Sequence, residues 1–298
     1  MTMVGMFVVA SVLLAQGSTQ APAFDFPDSP LSPRVISMGG AGVAIQGDPE
    51  QSLNPGVRDS KFRASLAQFT GFGGYNGLAL ALGGPIGSRL SFGASVRHFD
   101  YGDIIEDDVG PGLDGLGASE DALGLQLAVV LLPNLLEVGV RSTHQSATYF
   151  DATVSANELE VGFATRPWKD TRFGVVLLNL GGPARGEDGQ EFPLRRGWRA
   201  GGTWVKEAER LSVAVAADYE QRRMPDIGLI HAGAELGYRG IFFARTGIEQ
   251  HEVDLEGNTR VRWTVGSGIR LGRFGVSIAV RPSLLEGELE RYIGLAYQ

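Results

Sequence analysis

Residues 211–218 read Leu-Ser-Val-Ala-Val-Ala-Ala-Asp, with apolar side chains at the odd positions and small or polar side chains at the even positions. The same alternation returns at 90–97, 158–163 and 261–270. Successive side chains of a β-strand point to opposite faces, so a period of two predicts a strand. Each of these segments therefore predicts a strand with one apolar face and one face of small, polar and charged residues.

Segments with this alternation follow one another from Phe62 to the C-terminus, and helical periodicity is nearly absent there. We expect fourteen strands, which run over 62–70, 75–83, 88–99, 120–132, 135–149, 152–166, 170–180, 194–206, 209–221, 226–238, 240–250, 258–271, 273–282 and 287–298. An even number of strands of about ten residues or more is typical of transmembrane β-barrels. The sequence therefore predicts an all-β fold, a transmembrane antiparallel β-barrel of about fourteen strands.

The connections between the predicted strands alternate between short and long. Turns after even-numbered strands are tight, whereas 100–119 and 181–193 are the longest connections after odd-numbered strands. The predicted tight turns are 84–87, 133–134, 167–169, 207–208, 239–240 and 272–273. Short turns at one rim and long loops at the other are typical of outer-membrane barrels, whose chain ends lie at the short-turn, periplasmic rim. We therefore expect a bacterial outer-membrane location and contact with outer-membrane lipid.

Aromatic residues cluster near both predicted rims. Those near the short-turn rim are Trp168, Trp204, Tyr238 and Tyr297, and those near the other rim are Phe99, Tyr101, Tyr149 and Tyr219. Tryptophan and tyrosine are enriched at membrane–water interfaces, so this distribution predicts two interfacial girdles on the outside of the barrel.

The polar strand face carries charged residues that would line the barrel lumen if the apolar face meets lipid. These residues are Arg97, Glu137, Arg141, Glu158, Glu160, Arg199, Asp218, Glu220, Arg245, Glu249, Arg262 and Arg270. Isolated buried ions are costly, so the presence of both signs on one face predicts cross-strand ion pairs. Glycine and alanine on the same face leave room for a plug. We therefore expect a partly filled interior rather than an ion-selective pore.

The N-terminus carries an apolar run at 4–15 that is too short to span a bilayer as a helix. Small residues follow it, which predicts an export signal cleaved after Gly17 or Ala23, although no Lys or Arg precedes Arg34. A buried N-terminal segment is the alternative. We expect a signal peptide over 1–23, an N-terminal extension with a hatch over 24–61, and the barrel over 62–298.

Composition and spacing argue against several functions. The chain of 298 residues has no cysteine, which excludes disulfides and thiol catalysis, and its net charge of −8 argues against nucleic-acid binding. The four histidines, His98, His144, His231 and His251, lack metal-ligand spacing. One acidic region could attract calcium but lacks EF-hand spacing and predicts a solvated loop; it holds Asp103, Glu106, Asp107, Asp108, Asp114, Glu120 and Asp121. We expect neither enzymatic activity nor a cofactor or metal.

A glycine-rich segment precedes the first predicted strand. It reads Arg-Val-Ile-Ser-Met-Gly-Gly-Ala-Gly at 34–42 and Leu-Asn-Pro-Gly at 53–56. It resembles the N-terminal hatch of the PorV/PorQ family, relatives of the FadL-type barrels, in which an Arg, Met-Gly-Gly-Ala, an acidic residue and Asn-Pro precede the first strand. The family usually has Trp-Asn-Pro-Ala-Gly, so Leu53 and Gly56 depart from it. Residues 99–103 and 178–181 also resemble the family.

The resemblance implies a hatch in or near the lumen. The candidate structural or gating residues are Arg34, Met38, Gly39, Gly40, Ala41, Gly42, Asp48, Asn54 and Pro55. The glycines permit close backbone approach or positive φ, which suits a segment packed inside a barrel. Asp48-Pro49 favours a short helix over 49–53. A dinucleotide-binding glycine loop is the rival interpretation, but the GxGxxG spacing and a βαβ unit are both missing.

Three functions remain after these exclusions. The resemblance implies a role in type IX secretion, in which the partners are exported proteins or secretion-machinery subunits. The alternative is a FadL-like transporter of hydrophobic small molecules, and a purely structural outer-membrane protein is the third candidate. A transporter needs an apolar pocket in the lumen, whereas the inward strand faces are mainly small and charged. The sequence therefore favours the handling of exported proteins.

Overall fold

The computed structural model of the chain describes residues 32–47, 53–71, 75–103, 117–133, 135–149, 152–223, 226–252, 258–283 and 288–298. Several predictions lie outside these residues: the signal peptide at 1–23, the hatch residue Asp48, nearly all of the helix over 49–53, and the acidic residues Glu106, Asp107, Asp108 and Asp114. Leu53, the last residue of that expected helix, lies in a turn.

One short helix and sixteen strands form within the described ranges. They are α1 (Pro33–Ser37), β1 (Arg63–Thr70), β2 (Asn76–Ile86), β3 (Leu90–Asp103), β4 (Gly117–Leu132), β5 (Leu136–Tyr149), β6 (Ala152–Trp168), β7 (Thr171–Leu178), β8 (Ala184–Gly186), β9 (Glu191–Phe192), β10 (Gly197–Glu207), β11 (Leu211–Arg222), β12 (Ile227–Tyr238), β13 (Phe242–Glu252), β14 (Thr259–Leu271), β15 (Phe274–Pro282) and β16 (Leu289–Tyr297). In this part of the chain, no helix has the length and apolar character that crossing a bilayer requires.

Fourteen of these strands form a closed antiparallel barrel, which confirms the predicted fold. Each of β1–β7 and β10–β16 pairs with its neighbours, and β7 pairs directly with β10. The ring closes between the first and last strands, where Ala64 lies opposite Tyr297 and Thr70 opposite Arg291. Closure leaves no strand edge unpaired along the ring, which removes the main liability of an isolated sheet.

The remaining two strands, β8 and β9, form a small hairpin that the sequence did not predict. The hairpin pairs with β6, where Val154 lies opposite Gly186. The strand β6 extends beyond the short strand β7 toward the opposite end of the barrel, and the hairpin lies beside this extension, in line with β7. Ala184 is buried in one cluster with Ala147, Ala156 and Leu194, so the hairpin extends the barrel wall at this end.

The two faces of each strand differ as the period of two predicts. Large apolar side chains such as Leu78, Leu80 and Leu82 of β2 are exposed on the outside. Charged side chains such as Arg245 and Glu249 of β13 are buried on the inside. Monomeric soluble proteins rarely expose large apolar patches. The continuous apolar outer surface of the barrel therefore indicates that it contacts an apolar environment.

The barrel has two different rims. The terminal rim is the one at which β1 begins and β16 ends; it carries the connections 87–89, 133–135, 169–170, 208–210, 239–241 and 272–273. The opposite rim carries all the longer connections, so the parity seen in the sequence holds. Two turns begin later in the chain than the predicted 84–87 and 167–169. The strand β2 continues through Gly84, which pairs with Phe92 of β3, and β6 continues through Trp168, which pairs with Thr171 of β7.

The aromatic residues form an outer girdle at the terminal rim and only a small outer cluster, Trp198 and Tyr219, at the opposite rim. Trp168, Trp204 and Tyr238 are exposed near the terminal rim, as predicted. The predicted girdle at the opposite rim was wrong for three of its four residues, because Phe99, Tyr101 and Tyr149 pack against buried inner clusters, and only Tyr219 is exposed. The period of two explains Phe99: it lies two residues after the inward-facing Arg97 and therefore shares its face.

Candidate functional site: the lumen and its inner segment

The described residues that precede β1, 32–47 and 53–62, form what we call the inner segment. It begins with α1, whose first turn is capped by the Ser32 hydroxyl, which accepts a hydrogen bond from the Val35 amide at 3.4 Å. Proline at the first helical position suits this start because its missing N–H would have no partner in the helix. Gly39 and Gly40, with φ of 67° and 75°, reverse the chain after the helix.

The inner segment lies inside the barrel. The helix α1 packs against β13, β14, β15 and β16. The apolar side chains of the segment are almost completely enclosed as far as Val57, whereas Phe62, next to β1, is half exposed. The apolar residues at or below 5% exposure are Val35, Ile36, Met38, Ala41, Val43, Ala44, Ile45 and Val57. The described part of the predicted hatch therefore fills the lumen with apolar side chains, and whether it also gates the barrel stays a prediction.

Glycines of the barrel wall make room for this segment. The wall positions at which a Cβ would collide with the inner segment are Gly139, Gly162, Gly174, Gly233, Gly247, Gly266 and Gly294, and we call them the wall glycines. A Cβ on Gly139 would lie 2.0 Å from the Pro55 carbonyl oxygen, and one on Gly247 would lie 2.2 Å from the Gly39 nitrogen. Backbone therefore packs on backbone, which explains part of the high glycine content.

Backbone groups of the inner segment find partners on wall side chains. The Gly39 amide donates to Thr264 Oγ1 at 2.9 Å, and the Thr264 hydroxyl donates to the Ser37 carbonyl at 3.0 Å. His231 Nδ1 lies 3.0 Å from the Gly39 carbonyl oxygen. Buried backbone groups without partners would be costly, so these side chains are required for the segment to enter the lumen.

The carboxylate of Asp218 and the guanidinium of Arg199 bind the next residues of the segment, which follow Gly39. The amides of Gly42 and Val43 donate to Asp218 Oδ2 at 2.7 and 3.0 Å. Arg199 Nη2 donates both to the same Asp218 oxygen at 3.0 Å and to the Gly40 carbonyl at 2.5 Å. The arginine thus binds the segment directly and also neutralises the carboxylate that holds it, and charge-assisted bonds of this kind are the strong ones.

Two further side chains of the segment, Arg34 and Asn54, attach it to the wall at separate points. Arg34 forms a bidentate pair with Glu235, with distances of 3.0 and 2.8 Å. Asn54 Nδ2 donates to the Val43 carbonyl at 2.9 Å and to the Phe163 carbonyl of the wall at 3.0 Å. The structure therefore brings all the predicted hatch residues that it describes into one enclosed segment; these are Arg34, Met38, Gly39, Gly40, Ala41, Gly42, Asn54 and Pro55.

Ion pairs join neighbouring strands on the inner wall, as predicted. Arg141 pairs with Glu160, Arg245 pairs with Glu235 at 2.6 Å, and Arg262 pairs with Glu249 at 2.5 Å, each with a residue directly opposite on the next strand. We call the inner face that surrounds the segment on β10–β14 the charged sector; its residues are Arg199, Asp218, Glu220, His231, Glu235, Arg245, Glu249 and Arg262. His231, Glu235 and Thr264 were missed as site residues, although their strand phase places them inward.

A second part of the inner wall is aromatic, which the sequence reading did not anticipate. We call it the aromatic sector; its residues are Phe69, Tyr75, Phe99, Tyr101 and Tyr292. The rings of Phe69 and Tyr292 lie 4.9 Å apart, and those of Tyr75 and Tyr101 lie 5.4 Å apart in a T-shaped arrangement. Burial raises the pKa of the Tyr75 phenol above its usual value, so this ring is neutral at physiological pH.

The inner segment closes the aromatic sector from within. Ile36 of α1, which has no exposed surface, belongs to the same buried cluster as Phe69, Phe99 and Tyr292. The small residues Ala67, Ala79 and Ala279 line the wall of this cluster. The inward strand faces are therefore not only small and charged, as the sequence indicates, but include this apolar cluster. The signal was available, because Phe69 and Phe99 are in phase with small or charged residues on their strands.

Two open spaces adjoin the inner segment. One is lined by charged residues and by Leu53 of the segment; the charged residues are Arg97, Arg141, Glu158, Glu160, Arg199 and Glu220. The other lies at the terminal rim, where Pro33 and Arg34 face Ser65, Arg270 and Gln298. Within the described residues, no group of three or more histidine, aspartate or glutamate side chains could hold a metal ion.

Comparison with known proteins identifies the fold through solved structures only. The sequence matches no protein-family model, and no curated protein sequence matches it significantly. The CymD monoaromatic hydrocarbon channel superposes with a TM-score of 0.62 at 12% identity, over 90% of this chain and 97% of that chain. The fold is that of the FadL-type barrels.

Two further structures support this assignment. The toluene transporter TbuX of Ralstonia pickettii aligns with a TM-score of 0.57 at 14% identity, over 90% of this chain and 98% of that chain. A FadL homologue of Pseudomonas aeruginosa aligns with a TM-score of 0.57 at 12% identity and the same coverage. Identities this low establish the architecture alone. The narrower resemblance to the PorV/PorQ family finds no support in these comparisons.

Proposed function

We propose that this protein is an outer-membrane channel for small hydrophobic molecules, closed by its inner segment. The observation that carries the proposal is the aromatic sector, an apolar surface inside the lumen that is covered by the side chain of Ile36. FadL-type barrels are outer-membrane proteins, and two of the similar structures are named for a hydrocarbon channel and a toluene transporter. The terminal rim then faces the periplasm.

The chemistry of the aromatic sector suits such a ligand. Apolar area removed from water contributes about 25 cal/mol per Å², and aromatic rings in offset or edge-on contact add about 0.5–1.5 kcal/mol. Phe69, Phe99 and Tyr292 offer both contributions to an aromatic ring, and the burial contribution alone to a short alkyl chain. In the closed barrel Ile36 makes the same kind of apolar contact with these rings. A ligand that replaces Ile36 therefore leaves few side chains of the aromatic sector without a contact.

Uptake measurements test the proposal. Cells with the full chain in their outer membrane are expected to take up radiolabelled toluene in a saturable way, and to take up a hydrophilic sugar poorly. Phe99→Ala removes one ring of the aromatic sector and is expected to raise the half-saturating toluene concentration by about three- to tenfold. Phe242→Ala, which removes an exposed ring on the outside of the barrel, is the matched control and should leave this concentration unchanged.

Two results would contradict the proposal. One is a half-saturating concentration that Phe99→Ala and Phe242→Ala leave equally unchanged. The other is recovery of exported proteins with a shared C-terminal domain when the barrel is purified in mild detergent, without any bound hydrophobic molecule. That second result would favour the handling of exported proteins, the role implied by the PorV/PorQ resemblance.

A further inference from the structure

The turns at the terminal rim share a feature that transport of hydrophobic molecules does not require. Five of the six connections at this rim carry an exposed Arg or Lys. These residues are Arg89, Lys169, Arg210, Arg239 and Arg273. Two of these turns also carry an acidic residue, Asp170 and Glu209, so cations outnumber acids by five to two at this rim. The cations are distributed one per turn around the barrel and therefore form a ring of net positive charge and not a single convergent pocket.

Three of these cations lie beside the outer aromatic girdle. The Arg239 guanidinium carbon lies 5.3 Å from the centre of the Tyr238 ring, and Arg273 Nη1 donates to the Tyr297 hydroxyl at 3.0 Å. Lys169 directly follows Trp168, whose side chain is 65% exposed. Interfacial Trp and Tyr lie at the level of lipid headgroups, so neighbouring cations are at the height of the phosphates.

The opposite rim has the reverse charge. By sequence, its connections contain thirteen Asp and Glu residues against four Arg and no Lys. One of those arginines, Arg185, pairs with Glu191 at 3.1 Å, and another, Arg195, pairs with Glu252 at 2.6 Å. The positive ring is therefore a property of one rim and not of the chain as a whole, whose net charge is −8.

We propose that the terminal rim binds the headgroups of anionic phospholipids, with the cationic turns contacting phosphate and the girdle aromatics lying at the boundary between headgroups and acyl chains. A lipid leaflet is the partner that fits, because it presents phosphate around the whole circumference, whereas a soluble anion needs several cations at one point. The inference rests on the membrane location in the proposed function, and it adds a lipid preference that transport alone does not imply.

Lipid retention tests the inference on the full chain. The barrel is inserted into vesicles with equal parts of phosphatidylcholine and phosphatidylglycerol, extracted in mild detergent, and its retained lipids are counted by mass spectrometry. Each cation near a membrane surface favours anionic lipid by about fivefold, so we expect phosphatidylglycerol to be enriched about fivefold among the retained lipids. High salt should reduce this enrichment because the sites are exposed.

Two matched variants locate the effect. In the rim variant R89Q/R210Q/R239Q/R273Q the enrichment should disappear, whereas in the control R185Q/R196Q/R223Q/R291Q, which removes four exposed arginines near the opposite rim, it should persist. Equal enrichment in both variants, or equal loss in both, would overturn the proposal. Heat-modifiable migration on electrophoresis verifies that each variant is folded. If the unaltered chain does not insert into vesicles, the membrane location itself is contradicted. Toluene uptake is measured separately, so that a failure of the lipid preference is distinguished from a failure of the proposed transport.

Discussion

The aromatic sector and the charged sector face the same lumen, yet they hold the inner segment in different ways. In the aromatic sector the contact is made by a side chain, Ile36, in an apolar cluster. In the charged sector the contact is made by backbone groups, such as the amides of Gly42 and Val43, which hydrogen-bond to Asp218. Apolar packing is non-directional, whereas buried polar groups lose much when a specific partner is removed.

This difference assigns separate tasks to the two sides of one barrel. The charged sector fixes the position of the segment, because its ion pairs and hydrogen bonds require one geometry. Under the proposed function, the aromatic sector accepts any apolar group of suitable size, since packing against rings depends on area and shape. We therefore expect substitutions in the charged sector to displace the segment, and substitutions at Ile36 to change what occupies the aromatic sector.

The largest effect is expected at a wall glycine next to the charged sector. A Cβ at Gly247 would lie 2.2 Å from the Gly39 nitrogen and 2.3 Å from the Met38 carbonyl carbon, and these backbone atoms cannot rotate away. Gly247→Val should therefore expel this part of the segment, at a cost above the roughly 1–3 kcal/mol of ordinary overpacking. Because the segment leaves the lumen instead of opening locally, protease cleavage within residues 32–62 should approach the rate of an unprotected chain.

Gly275→Val is the matched control for this experiment. It adds the same side chain on β15, where the nearest atom to a Cβ is the Ile269 carbonyl oxygen at 3.7 Å. The control should be cleaved at the rate of the unaltered chain. If Gly247→Val is cleaved no faster than Gly275→Val, the inner segment does not depend on the wall glycines for its position.

A smaller effect is expected when the carboxylate of the charged sector is removed. Asp218→Ala leaves the amides of Gly42 and Val43 without their acceptor and weakens the pairing of the buried Arg199. Removing one partner of a buried pair costs about 3–5 kcal/mol, so the segment should open locally while the barrel stays closed. Hydrogen exchange at the Gly42 and Val43 amides should accelerate by the corresponding two to four orders of magnitude, roughly.

Asp170→Ala serves as the control, since its pair with Lys206 at 3.3 Å is exposed and contributes little. Unchanged exchange at Gly42 and Val43 in Asp218→Ala would show that Asp218 does not hold the segment, and it would remove the contrast between the two sectors.

The strands could be predicted from the sequence because the period of two is a local signal. Each predicted strand of the barrel lies within a few residues of an observed one, and β8 and β9 were missed because strands of three and two residues carry too little pattern. The exposure of Trp168 at the terminal rim was also correct. These features depend only on residues close together in the chain.

The inside of the lumen was harder to predict because it depends on residues far apart in the chain. The sequence indicates that Arg34 is a site residue, but its partner Glu235 lies 201 positions away. Phe99 was assigned to an outer girdle from its residue type, although its strand phase places it inside. In the sequence, Gly247 is indistinguishable from other small strand residues, because no local signal shows that the backbone of the inner segment packs against it.

The smallest predicted effect lies in the aromatic sector and gives the sharpest test of its task. Ile36→Ala removes a buried side chain and should cost about 2–4 kcal/mol of local stability, leaving an apolar cavity beside Phe69 and Phe99. A dry apolar cavity of this kind binds small aromatic molecules. Because Ile36 no longer competes with the ligand, the half-saturating toluene concentration should fall, whereas Phe99→Ala should raise it.

Ile230→Ala provides the control, because it removes the same side chain from the outer face of β12. It should change neither the exchange rates in the inner segment nor the half-saturating concentration. A loss of stability in Ile36→Ala without any change in that concentration would show that Ile36 only fills the core. The aromatic sector would then be a packing surface like any other, and the division of tasks between the two sectors would fail, even if the charged sector behaves as expected.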